Sequence, residues 1–339
     1  MTSPATNGHK RRGKRKPGAT ALGWATAALV AAFFAACGKA PQAPAALGSL
    51  IGSPVAYPSS AAYERQTDSL IVGSYGDGSL ARVPLAQQRG LPRAPALPLD
   101  GRQNVLRVRL DDSHARLWVL ASDAVYVYEM PSARLLVRIP IDAMGQHSSE
   151  HCLADMALDG AGNAFVSSAM QPQMMRVDAR TFETTHRVLQ PDVDRDKDFG
   201  LSALAFADGT LYAASAGIGR LWRLDYARGT AEHVDISEPI FGACALHAVP
   251  PAAGAAVAQP VLYVAGGFRD GIMRVDLPAS TGPARVSAVN AKGTPVVPTD
   301  FAIVGRDLYI VSSRLAEHPD FQVDIAAPSH FSIVRVTAP

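Results

Sequence analysis

Net positive charge is missing from the body of this chain. The sequence holds 32 Lys and Arg against 30 Asp and Glu, but six of the basic residues crowd between Lys10 and Lys16. What remains carries 26 basic against 30 acidic side chains, with no run of Lys or Arg. A mildly acidic surface without a basic stripe lacks the electrostatic footprint of a nucleic-acid binder, so nucleic acid is excluded as a partner. Helical spacing of apolar residues is scarce as well, which argues against a helical solenoid. No Gly-x-Ser-x-Gly nucleophile motif occurs. Apolar residues are plentiful, at 48% hydrophobic against 18% charged, which excludes a disordered or coiled-coil chain.

The basic cluster precedes an apolar run from Ala19 to Ala36, which ends Phe33-Phe34-Ala35-Ala36-Cys37-Gly38. A basic start, an apolar stretch and small residues ahead of a cut describe a secretory signal. Small residues directly before a Cys resemble the bacterial lipobox, whose Cys is acylated and becomes the new N-terminus; Phe34 stands where Leu is commonest. An uncleaved membrane span is the alternative, because 18 apolar residues just cross a bilayer. The run is rich in Ala and Thr, however, and weakly apolar for a permanent span. The expected organisation is a signal peptide over 1–36, acylated Cys37 with a flexible tether over 37–46, and a folded body over 47–339. Gly38, rather than an acidic residue, follows the Cys. By resemblance to Gram-negative lipoproteins, this implies a periplasmic body held on the outer membrane through its lipid.

The body repeats. A short apolar strand ending in small residues recurs from Leu70, Leu117, Ala164, Leu211, Leu262 and Leu308, at intervals of 47, 47, 47, 51 and 46 residues. A period of about 40–50 residues built from short strands indicates a β-propeller with one blade per repeat. Each copy has an apolar segment and turn before this strand, as in Leu204-Ala205-Phe206-Ala207-Asp208-Gly209, where Asp-Gly signals a hairpin. After it comes an alternating strand such as Met174-Met175-Arg176-Val177-Asp178, then an outer strand. The last repeat stops at its third strand, and an open edge is a liability. The apolar segment near Leu47 to Tyr57, unused by the first repeat, is expected to supply the missing strand. The fold class is therefore all-β: a six-bladed propeller of four-stranded blades, the last closed by an N-terminal strand.

In such a blade, loops entering the innermost strands share one rim with loops joining second to third strands. The unusual segments 142–152, 190–200 and 314–330 fall there, and this loop-rich rim is the expected binding face. The insertion from Pro250 to Pro260 falls on the opposite rim and is expected to be decoration.

Phrases such as Asp155-Met156-Ala157-Leu158-Asp159-Gly160-Ala161-Gly162-Asn163-Ala164-Phe165-Val166 resemble the regucalcin/gluconolactonase family over residues 58–336. The resemblance implies a six-bladed propeller with a divalent cation such as Ca²⁺ in its tunnel, hydrolysing sugar lactones. The ligand positions it implies fall near Ser59, at Ala154 beside Asp155, at Ser202, and near Ala243 or Cys244. Neutral groups thus stand where hard oxygen ligands would be needed. Only Asp155 and Asp300 place carboxylates at strand starts, which makes them the candidates for a rebuilt hydrolase. Ser59, Asn104, Asp155, Ser202 and Asp300 are the expected ligand-binding residues at the rim.

A softer metal site is conceivable from His147, Glu150, His151, Cys152 and Asp155, although the spacing matches no ligand motif. The acidic loop from Asp192 to Asp198 lacks the Gly and terminal Glu of an EF-hand and reads as solvated. His247, inside an innermost strand, reads as a hydrogen-bonded core or tunnel residue. Cys152 and Cys244 open strands two blades apart, about 120° round the ring, whereas a disulfide needs Cα atoms within about 7 Å. Free thiols are expected at both. The function expected is binding of a small molecule or protein by a monomer without a cofactor. Hydrolysis of lactones or related esters, metal-dependent or not, is the alternative.

Overall fold

The computed structural model describes residues 49–85, 104–141, 153–169, 171–190, 200–251, 259–266, 271–278, 282–289, 298–314, 317–318, 328 and 331–337. The basic cluster, the apolar run, Cys37 and the tether lie outside them.

The chain opens with β1 (Ser49–Gly52). The first blade is β2 (Pro58–Glu64), β3 (Ser69–Ser74) and β4 (Leu80–Pro84). The second holds β5 (Val105–Asp111), β6 (Arg116–Ala121), β7 (Ala124–Glu129) and β8 (Arg134–Pro140). The third holds β9 (Leu153–Leu158), β10 (Ala164–Ser168), β11 (Gln173–Val177) and β12 (Thr184–Val188). The fourth is β13 (Ala203–Ala207), β14 (Thr210–Ala214), β15 (Leu221–Asp225) and β16 (Thr230–Val234). The fifth is β17 (Ala243–Val249), β18 (Val261–Gly266), β19 (Gly271–Asp276) and β20 (Arg285–Ala288). The sixth is β21 (Asp300–Val304), β22 (Asp307–Val311) and β23 (Ser332–Thr337).

Each blade is an antiparallel meander, and the molecule is a six-bladed β-propeller of four-stranded blades; the first blade shows three strands among the described residues. The sixth blade gains its fourth strand from β1, which pairs antiparallel with β23 from Ser49 opposite Arg335 to Gly52 opposite Ser332. The ring therefore closes through the N-terminal segment, as the truncated last repeat implied. Local chemistry follows the sequence closely in places. Asp208 and Gly209, at φ of +49° and +76°, form the two-residue primed turn between β13 and β14.

Six apolar clusters hold the blades together, each shared by two neighbours. The second strand of each blade serves both wedges at once. Leu117 and Val119 of β6 pack toward the first blade, while Trp118 and Leu120 pack toward the third. Burial on both faces explains why these strands read as unbroken apolar runs. Outer strands such as β12, Thr184-Thr185-His186-Arg187-Val188, are largely exposed and correspondingly polar.

Candidate functional site

The first strands of the blades, β2, β5, β9, β13, β17 and β21, contact one another in sequence round the axis and line the tunnel. Near their starts, pairing with the second strand slips between Pro58 and Ser60, between Val105 and Arg107, and between Ala243 and Ala245. A similar slip lies between Val166 and Ser168 of β10, opposite β9. Such bulges bend a strand and re-aim its side chains. In β5 the result is that Arg107 and Arg109, two positions apart, both reach the axis, while Val108 between them packs in a wedge.

The two arginines meet two fully buried carboxylates. Asp155 Oδ1 accepts from Arg107 Nε at 3.0 Å, Arg109 Nη2 at 2.8 Å and its neighbour's backbone, Met156 N, at 2.7 Å. Asp155 Oδ2 accepts from Leu204 N at 2.9 Å. Asp300 Oδ2 takes Arg109 Nη1 at 3.0 Å and the Ser60 hydroxyl. Asp300 Oδ1 takes His247 Nε2 at 2.7 Å and Phe301 N at 2.9 Å. Arg107 also donates to the carbonyls of Leu106 and Cys244. The network thereby touches all six blades: Ser60 in the first, the arginines in the second, Asp155 in the third, Leu204 in the fourth, Cys244 and His247 in the fifth, and Asp300 in the sixth.

The electrostatics follow from that geometry. Burial alone would raise the Asp300 pKa, but Arg109, His247 and Arg107 hold it far below the usual carboxylate range. Burial would likewise lower Arg109, yet the charges of Asp300 and Asp155 raise it above its ordinary value. Two guanidinium groups and two carboxylates balance, so the axis carries internally paired charge rather than a reactive acid. Each carboxylate oxygen already has a donor, which leaves neither Asp155 nor Asp300 positioned to take a proton from a substrate.

The remaining residues expected at the rim serve the fold. Ser59 is buried and its hydroxyl donates to Val105 O at 2.6 Å and Gly73 O at 3.3 Å, clipping the first blade to the second. Ser202 repeats the device between the fourth and fifth, donating to Ala243 O at 2.7 Å and Ala214 O at 3.1 Å. Asn104 is half-buried ahead of β5 and its carbonyl accepts from Ser122 N at 3.0 Å. These donors do not fit a Ca²⁺ ion: the hydroxyls are bound to carbonyls, and guanidinium groups fill the space against the carboxylates. His147, His151 and the acidic loop from Asp192 to Asp198 lie outside the described residues.

One expectation needs correction. Cys244 is disulfide-bonded rather than a free thiol. It is the extra residue of the β17 bulge. Cys37 and Cys152 lie outside the described residues. Of the insertion from Pro250 to Pro260, residues 252–258 lie outside the described residues. At the mouth where the first strands end lies a cavity of about 520 Å³, and Pro250 is part of its wall. Arg109 and His247 also line it, with Val108, Leu110, Val249 and Ile303 as apolar walls and Arg65 beside Asp112 at 3.6 Å.

Arg107 and Arg109 were not singled out from the sequence. The available signal was two cations at alternate positions of a strand whose five counterparts hold no Lys or Arg. His247 is the hydrogen-bonded tunnel residue its position suggested, with a side chain 20% exposed.

No family profile and no curated protein matches the sequence. Solved structures do share its fold. The major Malassezia sympodialis allergen Mala s 1 aligns with a TM-score of 0.63 at 16% identity, covering 86% of this chain and 96% of that one. Virginiamycin B lyase from Staphylococcus aureus aligns with a TM-score of 0.56 at 9% identity, covering 86% and 99%. A luciferin-regenerating enzyme aligns with a TM-score of 0.54 at 15% identity, covering 86% and 93%. These likenesses agree with the six-bladed propeller and extend to the fold alone.

Proposed function

We propose that this chain is an exported, lipid-anchored binding protein whose propeller holds a small molecule at the strand-end mouth of its tunnel. The observation that carries the reading is the cavity of about 520 Å³, lined by apolar side chains together with Tyr63, Arg65, Arg109, Asp112 and His247. A concave, mostly apolar site with a few convergent polar groups is the usual form of a ligand pocket. Catalysis by the aspartates finds no support, because their oxygens are filled by donors from within the fold. Proteins of this fold include an allergen, a virginiamycin B lyase and a luciferin-regenerating enzyme, so the fold itself does not choose among functions. The basic cluster, the apolar run and Cys37 supply the anchor.

A thermal-shift screen of small organic compounds, run beside sugar lactones, tests the binding role. A true ligand at about 100 times its Kd should add about 2.7 kcal/mol and raise Tm by several degrees. Lactone turnover that leaves Tm unmoved by every compound would overturn the reading. For the anchor, Cys37→Ser should release the protein from the membrane fraction or leave it unprocessed. A Cys37→Ser protein that is still cleaved and membrane-bound would remove the anchor from the proposal.

A further inference from the structure

Given a lipid on Cys37 and a small molecule in the mouth, as proposed above, the point where the chain enters the ring decides what the cavity faces. In the sixth blade, strand pairing lines up Ala302 with Tyr309, Tyr309 with Arg335, and Arg335 with Ser49. The row runs from the tunnel wall to the outer edge, and its innermost member, Ala302, lines the cavity. At about 4.8 Å between strands, Ser49 lies about 15 Å from that wall.

Direction matters as much as position. β21 and β23 both run from the loop-rich rim toward the mouth, because Val304 and Thr337 meet Asp307 at the start of β22. β1 is antiparallel to β23 and ends with Gly52 opposite Ser332, so the chain arrives at β1 from the side of the mouth. Cys37 stands twelve residues before Ser49. Whatever course the intervening residues take, they span at most about 40 Å. To bring the loop-rich rim to the membrane they would first have to pass along the outer wall. Strands there reach seven residues, a height of about 23 Å. More than half of the reach would go to that detour, so a body held this way turns its mouth toward the anchor.

The lining suits what a membrane can deliver. Arg109 is held between Asp155 at 2.8 Å and Asp300 at 3.0 Å. His247 meets Asp300 at 2.7 Å, and Arg65 faces Asp112 at 3.6 Å. These charges are matched within the protein, so among the described residues an entering ion finds no counter-charge to repay its lost hydration. Val108, Leu110, Val249 and Ile303 offer contact to an apolar body instead.

We infer that the mouth faces the bilayer holding the Cys37 lipid, and that the cavity receives from it an uncharged, apolar small molecule. The hydrophobic effect that concentrates such a molecule in the membrane also holds it in the cavity. The anchor keeps the mouth beside that reservoir, and no bond within the ligand is made or broken.

The lipidated full chain, in vesicles of phosphatidylethanolamine and phosphatidylglycerol, tests the orientation. A fluorescent non-natural residue is placed at one of two exposed sites. Gly160, in the turn between β9 and β10, lies on the mouth's rim, and a Cβ there meets nothing within 4 Å. Glu238, between β16 and β17, lies on the opposite rim. Excitation transfer to a lipid headgroup dye should be several-fold stronger from Gly160. Inserting about 24 Gly and Ser residues after Gly38 should bring the two signals together, because the longer tether no longer selects a side. Equal transfer in the native chain, or a stronger signal from Glu238, overturns the orientation while the anchor stands. Protein absent from the vesicles overturns the anchor itself. A difference that survives the insertion overturns the tether as its cause.

The ligand class is tested in the same vesicles. Dissolved N-phenyl-1-naphthylamine should raise Tm by several degrees, whereas its anionic relative 8-anilino-1-naphthalenesulfonate should not. Ile303→Trp, which puts an indole into the cavity, should remove the shift while keeping the Gly160 signal. An equal shift with the sulfonate overturns the uncharged class, and no shift with either compound overturns delivery from the membrane. A shift that persists in Ile303→Trp overturns the assignment to this cavity.

Discussion

Between neighbouring blades the contacts are apolar and they repeat. Leu70 and Val72 share a cluster with Tyr309 and Val311 across one wedge, and Leu204 and Leu211 share another with Phe165 and Met174. Along the axis the contacts are ionic and none of them repeats. Arg107 and Arg109 come from one blade, Asp155 from the next, and Asp300 and His247 from the far side of the ring. A wedge joins two blades and can be altered locally. The axis joins all of them through a few side chains, so one substitution there acts on the whole ring. The energetics differ in kind as well. Apolar burial stabilises in proportion to area, whereas buried ion pairs gain little over an apolar replacement and cost heavily when only half is removed.

That contrast can be broken most sharply at Arg109. Arg109→Met leaves two buried carboxylates short of a partner and should cost about 3–5 kcal/mol in denaturant-induced unfolding. Adding Asp300→Asn should restore part of that loss. A wild-type unfolding midpoint for the single variant would show that the axis does not hold the ring. A wedge should respond less: Leu70→Ala, at a fully buried site, should cost about 3 kcal/mol. It should add to a change in a distant wedge, such as Leu246→Ala, without coupling. Coupling between those two would mean that the wedges are not independent.

The smallest effect concerns acid. The Asp300 carboxyl titrates below its unfolded value, so its contribution is present above about pH 4 and drains away as pH falls further. Unfolding free energies measured from about pH 5 downward should therefore fall less steeply in Asp300→Asn than in the wild type. Parallel acid limbs in the two proteins would remove Asp300 as a contributor.

The same contrast explains what could be read before the structure. The wedges were legible because every second strand carries the same apolar phrase, from Leu70-Ile71-Val72 to Leu308-Tyr309-Ile310, and repetition reveals the blade. The closing strand was legible because the last copy lacked one. The axis was not legible, because Arg109 and Asp300 are 191 residues apart and sequence spacing says nothing about which side chains meet across a tunnel. Cys244 was misjudged because the separation of blades round the ring was taken to rule out a disulfide, whereas Cys244 is disulfide-bonded.

The pairing of β1 with β23 also sets an order in time. Ser49 is among the first body residues to leave the ribosome, and its partner Arg335 is among the last. Five blades can complete their hairpins from neighbouring sequence, but the sixth must wait until both β1 and β23 have been made. Contacts at such separation form slowly because loop closure precedes their reward. A nascent chain thus cannot become a ring by accident midway through synthesis. Any product truncated before Ser332 keeps an orphaned first strand, and its open edge distinguishes a finished molecule from an unfinished one.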